Sequence, residues 1–420
     1  MTGHVRPRAA TRLGVLLVVL IAACRGAGSG DGGVPGIGNT GTRRPYAPYE
    51  TEARASTPWL ATVGDTAMVI SWTEQLADST ARVRFTTWRP NDWTRPRTVT
   101  AKGNYFINWA DFPSVIALGN GDFAAHWLER EGTGTYSYGV RIARTADSGE
   151  TWSAPITPHT DGLAAEHGFV SLWAADSGSI GAVWLDGRKS AMPDSAKEMT
   201  LRTARIRPDG SLADEAVLDT RICDCCQTAT APTRRGRVVV YRDRSPTEIR
   251  DIGIVRLVDG RWSAPALVHA DNWRIEGCPV NGPAVATMGD TVAVAWFTKA
   301  QDTARVQLAM SRDGGATFGA PVRIDQGDPM GRVAVVLDAQ ALPIVSWLER
   351  ASSRNALVLA RRVGWNGARS DVSEIQVLRA DRISGFPRMV RVGDSLLFAY
   401  TERGSRTDRP LVNVRTVPVR

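Results

Sequence analysis

Asp65-Thr-Ala-Met-Val-Ile-Ser-Trp72 runs from a turn residue through apolar residues to an aromatic. Short runs of this kind, β-branched and bounded by turn residues, read as strands. The phrase recurs as Gly121-Asp-Phe-Ala-Ala-His-Trp127, Gly178-Ser-Ile-Gly-Ala-Val-Trp184 and Gly236-Arg-Val-Val-Val-Tyr241. It continues as Asp290-Thr-Val-Ala-Val-Ala-Trp296, Ala341-Leu-Pro-Ile-Val-Ser-Trp347 and Asp394-Ser-Leu-Leu-Phe-Ala-Tyr400. The aromatics lie 55, 57, 57, 55, 51 and 53 residues apart. An apolar strand precedes each phrase, as in Phe112–Leu118, and another follows, as in Val306–Met310. Units close on Trp93-Thr-Arg-Pro96, Trp152-Ser-Ala-Pro155, Trp262-Ser-Ala-Pro265 and Phe318-Gly-Ala-Pro321. Four strands in roughly 50 residues is a propeller blade. The reading is all-β, a β-propeller of four-stranded blades, with seven blades favoured and six the alternative. The last unit lacks its own fourth strand, and residues 44–56, with Tyr46 to Glu52 foremost, are expected to supply it.

Outward from the repeats, the N-terminus reads as an export signal. Arg6, Arg8 and Arg12 precede the 11-residue run Leu13–Ala23, which is about half the length that spans a bilayer. The run ends in Ile21-Ala22-Ala23-Cys24, which resembles a bacterial lipobox and implies cleavage before Cys24 and its lipidation. The alternative is an ordinary secretory signal. The expected organisation is a signal over 1–23, the lipidated cysteine and a Gly-rich tether over 24–56, and the propeller over 57–420. The expected location is the bacterial envelope, at the outer membrane or periplasmic face.

The net charge of +8 falls to +5 without the three leader arginines. The basic residues are scattered among acids, which argues for a solvated mixed surface and against nucleic acid. Expected partners are a glycan or other surface ligand, and the membrane through the lipid alone. A monomer without cofactor or metal is expected.

Two segments carry a family resemblance. Thr145-Ala-Asp147-Ser-Gly149-Glu-Thr151-Trp152 and Ser311-Arg-Asp313-Gly-Gly315-Ala-Thr317-Phe318 match the Asp-box, Ser/Thr-x-Asp-x-Gly-x-Thr-Trp/Phe, at every defined position. The aspartates suit backbone N–H groups inside a turn, the glycines suit positive φ, and the aromatics plug between strands. The chain thus resembles the sialidase superfamily. The resemblance implies an arginine triad on a substrate carboxylate, a Tyr–Glu nucleophile pair and an aspartic acid/base, with the Asp-boxes away from that site. Candidates are Arg242, Arg244, Arg250, Arg332 and Arg388, with Tyr241, Glu276 and Asp111. The Phe/Tyr-Arg-Ile-Pro segment that supplies the family's first arginine is missing, and Thr42-Arg43-Arg44-Pro45 is a poor substitute. Two functions follow: an exo-acting glycoside hydrolase on sialylated or other acidic glycans, or a non-enzymatic glycan- or protein-binding propeller.

Two sets of segments compete for the binding face. One leads into the first strands, including Asn108–Asp111, Glu166-His167-Gly168, Cys223–Thr228, Glu276–Gly282 and Ser384–Arg388. The other follows the aromatic strands, including Glu129-Arg130, Asp186–Arg188, Arg242–Arg244 and Glu349-Arg350. Cys223, Cys225, Cys226 and Cys278 fall in adjacent units at equivalent positions. In an exported protein they read as two disulfides, the one to Cys278 tying unit four to unit five. A thiolate metal site with His167 is the alternative. His159 and His269 read as surface residues, and His126 as strand-packed or solvated.

Overall fold

The computed structural model describes residues 1–3, 34–38, 53–76, 80–90, 92–101, 104–193, 197–404 and 408–419. The lipobox with Cys24, the 42–45 segment and Tyr46–Glu52 lie outside them. The chain divides into a unit over 1–33 and one over 34–420. The second is a seven-bladed propeller of antiparallel sheets. No helix among the described residues is long and apolar enough to cross a membrane.

Blade 1 is built from Arg54–Val63, Ala67–Gln75, Ala81–Arg89 and Asp92–Trp93, with Arg97–Thr100 also paired to the third strand, and blade 2 from Ser114–Gly119, Asp122–Arg130 and Tyr138–Thr145. Blade 3 contains His167–Ala174, Ile180–Asp186, Met199–Ile206 and Leu212–Ile222. Blade 4 contains Ala229–Thr233, Gly236–Arg242, Ile252–Val258 and Arg261–Trp262. Blade 5 contains Ala284–Met288, Thr291–Thr298, Arg305–Ser311 and Val322–Arg323. Blade 6 contains Pro329–Leu337, Pro343–Arg350, Asn355–Arg362 and Ser373–Arg379, and blade 7 Arg388–Val392, Ser395–Arg403 and Pro410–Pro418. The first strand begins at Arg54, three residues before the expected boundary.

The repeated aromatic lies near the end of the second strand of every blade and packs onto the blade before it. Trp127 lies among Val69, Val83 and Phe85 of blade 1, and Trp296 among Val238, Val240 and Ile254 of blade 4. Trp184, Tyr241, Trp347 and Tyr400 repeat the arrangement around the ring. Trp72 of blade 1 packs on Leu397, Ala399 and Val414 of blade 7, which closes the circle. Each such ring removes enough apolar surface to contribute roughly 4–6 kcal/mol. Second strands are covered on both faces, which is why they read as apolar runs.

The described outer contact of blade 7 differs from the expected one. Ile37 forms an antiparallel bridge with Val419, and the Gly38 N–H donates to the Pro418 carbonyl at 3.3 Å. Arg362 Nη1 and Ser373 Oγ of blade 6 donate to the carbonyls of Pro35 and Ile37 at 3.1 and 2.9 Å. A short segment upstream of the expected one thus touches the outer edge of blade 7 at Ile37.

Register decides which loops share a face. The start of each first strand pairs with the end of the second: Ser114 with His126, His167 with Asp186, Arg388 with Ala399. The segments leading into first strands and the turns after second strands therefore lie on one face, and the two competing sets are one. The Asp-box-like hairpins follow third strands and lie on the other. In each, the aspartate accepts from the Thr151 or Thr317 N–H at 3.0 and 2.9 Å and from the hydroxyls of the same residues at 2.6 Å. Gly149 and Gly315 have φ of 91° and 80°. A Cβ on Gly149 would meet Phe85 at 2.3 Å, so the turn needs glycine for close approach as well as for φ.

Candidate functional site

Three side chains meet where blade 2 adjoins blade 3. Asp111 comes from the lead-in to blade 2, Tyr138 opens that blade's third strand, and Glu166 precedes His167 in blade 3. Tyr138 Oη lies 2.8 Å from Asp111 Oδ2 and 3.0 Å from Glu166 Oε1. A phenol has one proton and can donate to only one of them. The other contact is satisfied when a carboxyl carries a proton and donates to the phenol. Burial pushes Asp111 up to about 7 and Glu166 up to about 8, neighbouring Asp111, Asp224 and Cys278 adding to the latter. Burial and both carboxylates hold the phenol well above its usual range. The cluster therefore retains a carboxyl proton at neutral pH. Asp111 Oδ1 accepts from the Phe169 N–H at 2.8 Å, and Phe106 stacks on Tyr138 at 3.9 Å. Gly168 admits the arrangement, since a Cβ there would stand 2.0 Å from Asp111 Oδ2.

The five candidate arginines separate into two kinds. Arg242 is committed to backbone: Nε and Nη2 donate to the Asn281 carbonyl at 3.0 and 2.7 Å, Nη1 to Arg250 at 2.6 Å, and Nη2 also to Phe297 at 2.8 Å. Arg332 Nη1 donates to the Gly385 carbonyl at 2.9 Å, and its guanidinium lies 5.2 Å from the Trp109 ring. Arg388 sits over Trp59 and Phe112 at 4.5 and 4.3 Å, and burial lowers it to about 9. These three hold lead-in segments together.

Arg244 and Arg250 instead converge, joined by Arg221. All three grip Glu248: Arg221 Nη2 at 3.3 Å, Arg244 Nη2 at 2.9 Å and Arg250 Nη2 at 2.7 Å. The hydrogen bond from Arg244, aided by Arg250, pulls the Glu248 carboxyl down to about 2. Glu248 has φ of 63°, the left-handed region, in the turn after the second strand of blade 4. The clamp opens into a cleft of about 410 Å³ lined by Asp224, Arg244, Glu248, Arg250, Glu276 and Cys278. Asp224 lies 3.5 Å from Arg250 and is among the charges that raise Glu166. The clamp and the Tyr138 cluster thus lie on the same face, the one that carries the lead-in segments.

The structure does not bring Tyr241, Glu276 and Asp111 together. Tyr241 donates to Asp219 at 2.5 Å, and Glu276 is an exposed partner of Arg274 at 3.1 Å. The glutamate beside a tyrosine is Glu166, and the tyrosine is Tyr138. Neither Tyr138 nor Arg221 stands in a motif, and only the fold shows which residues they meet. A clue to Glu166 lay in its place beside His167 in a polar lead-in.

The four cysteines gather at the head of blade 4, and none is bonded to another: Cys223 Sγ is 3.7 Å from Cys225 Sγ and 3.5 Å from Cys226 Sγ. The expected disulfides are absent because a bond requires sulfurs about 2.05 Å apart. His167 turns instead to Asp161, with Nε2 3.0 Å from its carboxylate, and stacks on His159 at 3.8 Å and 2°. Parallel stacked imidazoles direct their in-plane lone pairs side by side, so the pair does not converge on one ion. His159, expected at the surface, is buried and accepts the Val140 N–H at 3.1 Å. His126 is buried against Ser114 at 2.8 Å, whereas His269 stays exposed beside Asp271.

No family model matches the sequence, and no curated protein matches it. Among solved structures, a protein of unknown function from Dyadobacter fermentans is 13% identical, covering 92% of this chain and 99% of that one at a TM-score of 0.50. The polysaccharide lyase Uly1 is 9% identical, covering 86% of this chain and 89% of that one at a TM-score of 0.51. An α-L-arabinofuranosidase of Fusarium graminearum, 14% identical, covers 76% of this chain and 95% of that one at a TM-score of 0.49. At these identities the likeness is one of fold.

Proposed function

We propose that this protein is an exported, glycan-active propeller, tethered through Cys24, that acts on acidic sugars such as sialic or uronic acid residues. The observation that carries this reading is the convergence of Arg221, Arg244 and Arg250 on one carboxylate at the mouth of a cleft. Guanidinium forks in that arrangement suit a sugar carboxylate, which takes the place that Glu248 holds. Glu166 is half-buried and keeps its proton at neutral pH, as a general acid for a glycosidic oxygen must. Tyr138 relays the proton from Asp111 behind it. The two Asp-box-like hairpins and a fold shared with a polysaccharide lyase support a glycan as the ligand class.

A second reading, a glycan-binding propeller without turnover, rests on the burial of the cluster: Tyr138 and Asp111 are 1% and 2% exposed. Fluorogenic sialosides and uronides offered to the purified protein distinguish the two. Turnover that Glu166→Gln removes, and that Arg244→Ala reduces about 10- to 100-fold through loss of a charged fork, supports the enzyme. Binding that needs Arg244 but yields no product supports the second reading. Neither binding nor turnover across both panels refutes the acidic-glycan assignment.

A further inference from the structure

The cysteine quartet takes no part in that chemistry. Cys223, Cys225 and Cys226 fold into one tight turn before blade 4, with all three sulfurs within 4.8 Å of one another. Cys278, from the lead-in to blade 5, places its sulfur within 4.8 Å of Cys225 Sγ. Disulfides pair sulfurs two by two. Here Cys223 Sγ is nearly equidistant from two partners, at 3.7 and 3.5 Å. Four thiolates around a tetrahedral ion with metal–sulfur bonds of about 2.3 Å stand about 3.8 Å apart. The two spacings from Cys223, 3.7 and 3.5 Å, match edges of that tetrahedron, and Cys278 approaches it from the side of Cys225. Arg250 Nη1 donates to Cys223 Sγ at 3.1 Å, the kind of outer hydrogen bond that steadies a metal-bound thiolate. Cys223 and Cys226 are each 1% exposed, whereas Cys278 is open to solvent, so the site has a dry floor and an open side.

We propose that Cys223, Cys225, Cys226 and Cys278 form a thiolate site for one soft, closed-shell metal ion, zinc(II) or copper(I). The ion replaces the thiol protons, which leave to solvent, and no electron moves. It pins the lead-in of blade 5 to blade 4. Through Arg250, which also grips Glu248, it holds one wall of the cleft. The sulfur geometry that carries this inference does not rest on the proposed function, so either idea can fail alone.

The test uses the full-length chain purified without chelator. Elemental analysis is expected to find one zinc or copper per chain, and the element found identifies the occupant. Cobalt(II) added to the metal-stripped protein is expected to give the intense charge-transfer and ligand-field bands of tetrahedral thiolate cobalt. Cys223→Ser removes binding. Cys278→Ser, at an exposed position that does not threaten folding, weakens it at least about 10-fold through loss of one ligand. Peptide mapping that finds two disulfides overturns the proposal, as does a protein with four free thiols that binds neither zinc nor copper(I) and gives no cobalt bands.

Discussion

Asp111→Asn is the sharpest probe of the buried proton. In the structure Asp111 Oδ1 accepts the Phe169 N–H and Oδ2 faces the Tyr138 hydroxyl. Asparagine reproduces the protonated acid, its carbonyl accepting from Phe169 and its amide donating to Tyr138, which donates onward to Glu166. Folding lifts the Asp111 pKa from 3.8 to about 7, so the folded chain binds this proton more tightly than the unfolded chain. The stabilisation is complete below pH 3.8 and is lost as pH rises through about 7. Between about pH 5 and about pH 8 the loss amounts to about 3 kcal/mol in the wild type. The substituted protein lacks that contribution to the slope and keeps the one from Glu166, which runs in the same direction up to about 8. Urea unfolding at the two pH values, analysed with a common slope, measures the difference. The asparagine variant is expected to gain about 3 kcal/mol on the wild type across that interval. Urea midpoints that move in parallel for the two proteins would refute the shared-proton reading.

Trp347→Phe removes the indole N–H that Glu349 accepts at 2.6 Å inside the blade interface, and thermal unfolding is expected to show a loss of about 2 kcal/mol. Arg242→Lys keeps the charge but not the fork that reaches three carbonyls, so it is expected to cost about 3 kcal/mol of stability in urea while leaving affinity for acidic sugars unchanged.

The fold was legible because its repeat has one physical cause. A wedge aromatic is needed at every blade interface, and it recurs in the sequence at the spacing of a blade. Tyr46–Glu52, expected at the ring closure, lie outside the described residues; any short extended apolar segment can pair with an open edge, and Ile37 lies in such a segment too. The arginines were harder to sort. Arg242 and Arg244 are two residues apart, but Arg242 is the last residue of its strand and turns inward to carbonyls, whereas Arg244 lies in the turn beyond, where strand alternation no longer sets direction, and reaches Glu248. Tyr138 was passed over because it opens a third strand, a position that the repeat pattern leaves undefined.

The same repeat shows why the site lies where it does. In blades 1, 2, 3 and 6 the tryptophan N–H is capped by the acid two residues on, at Glu74, Glu129, Asp186 and Glu349. Blades 4 and 5 break this rule. Tyr241 donates to Asp219 on the outer strand of blade 3, and Trp296 to Asp271 in the lead-in to blade 5, because Thr298 stands where the capping acid would be. The aromatic handle is thus satisfied by a neighbouring segment. The turn after the blade 4 strand is relieved of capping and carries Arg244, Glu248 and Arg250, while the lead-ins to blades 4 and 5 carry the cysteines. A repeat departs from its own rule where selection for something other than packing has acted. Here the turn beyond the blade 4 departure supplies Arg244, Glu248 and Arg250, and the lead-in to blade 5 supplies Glu276 and Cys278, so the departures adjoin the segments that line the arginine-clamp cleft.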